Sequence, residues 1–153
     1  MMSASAINLD PERVTVLTGP TAGGKSALAL DLAARVGGTI INADASQLYR
    51  ELAIVSARPT ADEEAQVPHA LYGMLAGDDV CTAARWVKLA KAEIAAARAA
   101  GRQPIIVGGT GMYLAALVHG LAPVPAIQPA VRAEVRSLDT EAARAALEQE
   151  DPA

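Results

Sequence analysis

Apolar residues fall along this chain in short blocks separated by glycine and proline. Val14-Thr15-Val16-Leu17 is β-prone and stops at Gly19-Pro20, which predicts a buried first strand. From about Ser26 to Val36 the period changes to that of a helix, with Leu28, Leu32 and Val36 on one face, and Gly37-Gly38 ends it. Thr39-Ile40-Ile41 is a second strand, followed by Asn42-Ala43-Asp44. Strand, helix and strand in this length form a βαβ unit, so the two strands are expected to be parallel. Between Gln47 and Asp79 the pattern weakens. Pro59 and Pro68 interrupt it, and Asp62-Glu63-Glu64 reads as a solvated acidic run. Thr82 to Ala100 is an Ala-rich helix closed by Gly101, and Pro104-Ile105-Ile106-Val107 is a third buried strand ending at Gly108-Gly109-Thr110-Gly111. A helix over about Met112 to Val118 stops at Gly120. Strands alternating with helices predict an α/β fold with an open, mostly parallel sheet and flanking helices.

After Leu121 the character changes. Pro123, Pro125 and Pro129 form a hinge-like stretch, and two weaker helical runs follow, about Ala130 to Ser137 and Thr140 to Gln149. No further strand appears for them to pack against. The pattern therefore divides the chain into an α/β core over 12–122 and a Pro-rich hinge with helical segment over 123–153. There is no internal repeat and no low-complexity stretch.

Composition narrows the partners. The chain of 153 residues is 52% hydrophobic, yet it has no Phe, one Trp and three Tyr, so its apolar mass is Ala, Val, Leu and Ile. The net charge of −4 argues against a nucleic-acid face built from these residues alone. Arg85, Lys88 and Lys91 share a helical spacing, which reads as a solvated helix face before it reads as a phosphate-binding patch. The single cysteine, Cys81, cannot form an internal disulfide and reads as a small buried thiol. Met1 to Asp10 lacks the basic-then-apolar pattern of a signal peptide, and no apolar stretch is long enough to span a bilayer. The expectation is a cytoplasmic protein with no membrane partner.

Gly19-Pro20-Thr21-Ala22-Gly23-Gly24-Lys25-Ser26 fits GxxxxGK[ST] at every fixed position. Glycines let successive backbone N–H groups turn toward one anion, and the helix that follows adds its positive end. Lys25 supplies a full charge to a di- or triphosphate such as that of ATP, and Ser26 can ligate the Mg²⁺ that shares the phosphate oxygens. A glycine-rich turn with a surface lysine would look similar. The strand before the motif and the helix after it favour the phosphate loop. In a kinase or NTPase another core strand normally ends in an acidic residue that holds Mg²⁺. Here the third predicted strand ends in Gly108-Gly109, and the carboxylate follows the second, at Asp44. Strand C-termini of a parallel sheet share one edge, so Asp44 and Thr110 are expected beside the loop. Asp44 could serve as general base, as a metal aid, or only as the cap of a helix beginning at Ala45.

Three segments together resemble the tRNA dimethylallyltransferase family: Gly19 to Ser26, Asn42 to Arg50, and Val107 to Leu114. Ala57-Arg58-Pro59-Thr60 and Pro68-His69 add to it, and the likeness runs from about Val14 to Leu121. The resemblance implies a P-loop NTPase-like fold in which the loop holds the diphosphate of dimethylallyl diphosphate, with Mg²⁺ as cofactor. It implies Asp44 as the base that takes a proton while N6 of an adenine beside the anticodon attacks the prenyl carbon. Thr21 and Thr110 match positions near the reacting groups, and Asp44, Ala45, Ser46, Gln47 and Thr110 would meet the tRNA. The sequence departs from the family at Ala45-Ser46, at Val55-Ser56 and at Ala115, where a Ser followed by Met or Arg, a Gly-Thr pair and a basic residue are usual. Family members also continue through a helical tRNA-gripping insertion. This implies that the chain is C-terminally truncated just where that insertion starts, with tRNA binding weakened. A monomer is expected. A small-molecule kinase or NTPase, an adenylate prenyltransferase and an inactive remnant remain alternatives.

Overall fold

The computed structural model describes residues 9–10, 12–122 and 127–151. Most of the Met1–Asp10 stretch considered for a leader, and hinge residues Pro123 and Pro125, lie outside the described residues. The chain divides into two compact units, Met1–Leu121 and Ala122–Ala153.

The first unit is a four-stranded parallel sheet with helices on both faces. Its elements are β1 (Thr15–Leu17), α1 (Lys25–Val36), β2 (Gly38–Asn42), two 3₁₀ turns (Ser46–Leu48 and Arg50–Leu52), α2 (Ala61–Gln66), β3 (His69–Ala70), α3 (Ala83–Ala99), β4 (Gln103–Val107) and α4 (Gly111–His119). The strand order is β1-β4-β2-β3. β1 and β2 are parallel, as the βαβ pattern requires, but they are not neighbours. β4 lies between them, pairing Ile105 and Ile106 with Thr15 and Val16 on one side and with Ile40 and Ile41 on the other. All five residues of β2 and of β4 are buried, which explains unbroken apolar runs where one solvated face would give alternation.

Alternate strand residues point to opposite faces, and each face has its own core. Ile41 and Ile106 join Leu48, Trp86, Ala90, Ile94 and Tyr113 beneath α3 and α4. Ile40, Ile105 and Val107 join Ala29 and Ala33 beneath α1. Of the expected stripe, Leu32 and Val36 pack partly buried against this core, but Leu28 stays 56% exposed, and the sealed positions of α1 are Ala29 and Ala33. The cause is close approach. A Cβ on Gly38 would lie 3.2 Å from the Ala33 Cα and 2.7 Å from Ile105 Cδ1, so only small residues fit between this helix and the sheet.

The weakly patterned region holds more structure than its sequence suggests. Asp62-Glu63-Glu64 is the first turn of α2. Thr60 caps that helix and Glu63 closes a reciprocal capping box on the Thr60 backbone N–H at 2.8 Å. These bonds hold the Glu63 carboxyl below the usual carboxylate range. The two-residue β3 escaped the pattern because it is too short to show a period. Arg85 is not a free cation of a basic face, because its guanidinium is paired with Asp79 Oδ1 and Oδ2 at 2.5 and 2.9 Å. Cys81 is only partly buried, packed against the α3–α4 core.

In the second unit, α5 (Pro129–Ser137) begins with Pro129 in its first turn, where a fixed φ and a missing N–H cost nothing, so this proline starts a helix instead of extending the hinge. α6 (Thr140–Glu150) is capped by Asp139, which accepts from the Ala142 N–H at 2.8 Å. No residue of either helix is buried. No helix among the described residues is long and apolar enough to cross a membrane.

Candidate phosphate and acceptor site

The C-terminal ends of β1, β2 and β4 open into one cavity of about 650 Å³. It is lined by all eight loop residues Gly19, Pro20, Thr21, Ala22, Gly23, Gly24, Lys25 and Ser26, together with Asp44, Gln47, Gly108, Gly109 and Thr110. Residues that the sequence scattered over 92 positions thus meet at one sheet edge. Ser56 and Ala57 complete the wall. Their sequence signals were the Val55-Ser56 departure from the family pattern and the Ala57–Thr60 stretch that Ala57 opens.

The loop leaves β1 and turns into α1 through Gly24, whose φ of 73° is left-handed. Ala22 adopts a similar φ of 59° without the freedom of a glycine. The Gly23 N–H donates to Pro20 O at 3.2 Å, and Lys25 Nζ donates to the same carbonyl at 2.6 Å, closing the loop on itself. The N-termini of α2, α3 and α6 are satisfied by Thr60, Thr82 and Asp139, whereas α1, like α4 and α5, has no side-chain cap. Its first-turn N–H groups, with their partial positive charge, are available to an anion in the cavity. Lys25 and Asp44 are the two ionisable side chains among the lining residues.

Asp44 is held by its neighbours from several directions. Its Oδ1 accepts from the Ser46 N–H at 2.9 Å and from the Ser46 hydroxyl at 2.6 Å, just before the first 3₁₀ turn. The N-cap of the first 3₁₀ turn is Ala45, which makes no side-chain capping bond, so Asp44 is not its cap; both Ser46 contacts fall on Oδ1. Thr110 Oγ1 accepts from the Ala45 N–H at 3.0 Å, and the Thr110 N–H donates to Ala43 O at 3.2 Å, tying the start of α4 to the segment that carries Asp44. Gln47 Nε2 donates to Ser56 O and Ala57 O at 2.8 and 3.3 Å, so this side chain braces the far wall. Ala45 and Ser46 are not among the lining residues. Their groups bond Thr110 Oγ1 and Asp44 Oδ1.

Gly108 explains how Asp44 comes so close to the loop. A Cβ there would fall 2.3 Å from the Ala43 carbonyl carbon, 2.4 Å from its oxygen and 2.7 Å from the Asp44 nitrogen. Only a residue with no side chain lets the end of β4 pass the backbone of Ala43-Asp44. Two further residues shape this site, and neither was given a role from the sequence, although Asn42 opens the Asn42–Arg50 segment. Asn42, at the end of β2, is fully buried and bonds the backbone of Asp44. Trp86, from α3, is stacked on Tyr113 at 4.8 Å and donates its Nε1–H to Asn42 O at 2.9 Å. On the α1 side, burial pushes the Tyr72 phenol up, with Asp44 and Glu64 adding to the effect, so Tyr72 remains neutral beside the site. Among the described residues no group of three or more His, Cys, Asp or Glu could hold a metal ion by itself.

The family model for IPP transferase matches residues 47–153. The chain belongs to the IPP transferase family. That match begins after the phosphate loop and Asp44, but longer alignments to IPP transferase relatives take both in. The tRNA dimethylallyltransferase of Rhodospirillum centenum is 56% identical over 143 residues, covering 91% of this chain and 46% of that protein. The tRNA dimethylallyltransferase of Rhodospirillum rubrum is 59% identical over 123 residues, covering 80% of this chain and 38% of that protein. Among solved structures, the full-length tRNA isopentenylpyrophosphate transferase of Bacillus halodurans superposes with a TM-score of 0.71 at 32% identity, over 92% of this chain and 48% of that one. A eukaryotic dimethylallyltransferase acting on tRNA gives a TM-score of 0.78 at 26% identity, over 91% and 36%. The fold is therefore the P-loop NTPase-like α/β sheet of these transferases. The chain spans less than half the length of the curated relatives it matches.

Proposed function

We propose that this chain supplies the donor-binding and proton-accepting part of a transferase that moves a dimethylallyl group from dimethylallyl diphosphate to N6 of an adenine in tRNA beside the anticodon. The observation that carries the reading is one cavity with a phosphate loop on one wall and a lone carboxylate, Asp44, on the other. The absence of a carboxylate where β4 ends, at Gly108-Gly109, sets it apart from a hydrolytic arrangement.

In this mechanism the Gly19–Ser26 backbone, the α1 N-terminus and Lys25 bind the diphosphate and take up the charge that grows on it as the C1–O bond breaks. The adenine, out of its stack, presents N6 to C1. The new N–C bond forms, pyrophosphate leaves, and the N6 proton passes to the Asp44 carboxylate. Thr110 positions this segment through Ala43 and Ala45. Mg²⁺ fits the donor set, because a hard cation that keeps several waters needs only the Ser26 hydroxyl and phosphate oxygens, not a protein cage. When bound it would neutralise charge on the leaving diphosphate. Loop, base and hydroxyl all come from one chain, so we read the protein as a monomer, working in the cytoplasm where tRNA is found.

The test is single-turnover transfer of labelled dimethylallyl to an RNA stem-loop that presents the adenine. Asp44→Asn is expected to abolish transfer while pyrophosphate still binds with Mg²⁺. Wild-type rates in this variant would remove the base assignment.

A further inference from the structure

Asn42 spends every polar atom of its side chain on the ground around Asp44. Nδ2 donates to Asp44 O at 2.9 Å and to Leu71 O at 3.0 Å, and Oδ1 accepts from the Asp44 N–H at 2.8 Å. Its own carbonyl accepts from Trp86 Nε1 at 2.9 Å. The side chain is fully buried, so these bonds are formed away from water, where losing one leaves an unpaired polar group. One amide thus joins three segments: the end of β2, the turn after β3 and the backbone on both sides of Asp44. The turn is under strain. Leu71, buried at 6% exposure, has a left-handed φ of 65°, and Gly73 follows at 54°. Gly73 in turn donates its N–H to Gln47 O at 2.9 Å. A strained turn persists where its surroundings over-determine it. Here the Asn42 amide is what grips it. Ser46 fixes the Asp44 carboxylate through Oδ1, and Asn42 fixes the backbone on which that carboxylate stands.

We propose that Asn42 is a positioning residue that sets the direction of the Asp44 carboxylate toward the acceptor amine. It rests on the reading of Asp44 as the base. Asn42 does not line the cavity and touches no part of the phosphate loop, so its effect should fall on transfer and not on donor binding.

The experiment uses the full-length protein. Asn42→Asp is isosteric and still accepts from the Asp44 N–H, but it turns two attractions to carbonyl oxygens into repulsions. Asn42→Ser removes the amide without adding charge and serves if the aspartate variant does not fold. Each is compared with wild type by single-turnover transfer, by pyrophosphate affinity with Mg²⁺, and by far-UV circular dichroism for the folded fraction. The expected result is a transfer rate lower by about 100-fold, the usual cost of a reacting group misplaced by about 1 Å. Pyrophosphate affinity should stay within about twofold, since no binding contact is lost. If Asp44→Asn abolishes transfer but the Asn42 variants keep the wild-type rate, or lose rate and pyrophosphate binding together, the positioning role is wrong and the base assignment stands. If Asp44→Asn itself transfers normally, the base assignment falls and the role of Asn42 with it.

Discussion

Gly108→Ala adds one methyl group at the tightest place in the site. The new Cβ would begin 2.3 and 2.4 Å from the Ala43 carbonyl carbon and oxygen and 2.7 Å from the Asp44 nitrogen. Those neighbours are backbone atoms, so no side-chain rotation relieves the clash. Ordinary contact begins at 3.4 Å, which means that the Ala43-Asp44 segment, or the end of β4, must move by about 1 Å. Overpacking of this kind costs about 1–3 kcal/mol of stability, and a displacement of about 1 Å at a reacting carboxylate costs roughly 100-fold in rate. The neighbouring glycine is the control. A Cβ on Gly109 meets nothing nearer than Gly19 O at 3.7 Å, so Gly109→Ala should leave stability unchanged. Urea unfolding followed through Trp86, the one tryptophan, measures the first effect, and single-turnover transfer measures the second. Equal stability and equal transfer rates for the two alanine variants would refute the claim that Gly108 is what lets Asp44 stand beside the loop.

Other predictions follow from particular contacts. Lys25→Ala removes the cation of the loop and should weaken pyrophosphate binding by about tenfold or more, the worth of a charge-assisted hydrogen bond; calorimetry with unchanged affinity would remove the phosphate-loop argument. Glu63 titrates below its ordinary value because it accepts from the Thr60 N–H and hydroxyl. Its contribution to stability is complete above the unfolded carboxyl value of about 4.3 and is lost as pH falls through the lowered folded value. Glu63→Gln should therefore be less stable than wild type near neutral pH and converge with it in acid, and parallel urea midpoints at all pH values would contradict this.

The legible part of the fold was the part with period. β1, β2, β4 and the helices beside them announced themselves because runs such as Ile105-Ile106-Val107 and the Ala-rich α3 have strong local preferences, bounded by glycine. The helix face on α1 was read only in part: Leu32 and Val36 do pack on the core, but Gly38 brings the sheet close enough that the sealed positions are Ala29 and Ala33. Strand adjacency was not legible at all. Pattern gives the direction of β1 and β2, but only three-dimensional packing puts β4 between them. In the site, the phosphate loop was readable as a contiguous motif. Asp44 and Thr110 were readable from the rule that strand ends share an edge. Asn42 and Trp86 were not, because their contribution is a set of hydrogen bonds to backbone atoms 2 to 44 residues away, which leaves no spacing to detect. The substitution of a serine at 46 for the hydroxyl usual at 45 looked like a loss, yet the Ser46 hydroxyl reaches Asp44 Oδ1 at 2.6 Å.

The central claim is that the cavity takes a prenyl diphosphate and not a nucleotide. Calorimetric titration of this chain with dimethylallyl diphosphate and with ATP, each with Mg²⁺, tests it most directly. The account predicts a clear preference for dimethylallyl diphosphate, with the heat lost in Lys25→Ala. A clear preference for ATP would contradict it and would make Asp44 a metal-holding residue of a nucleotide-using enzyme.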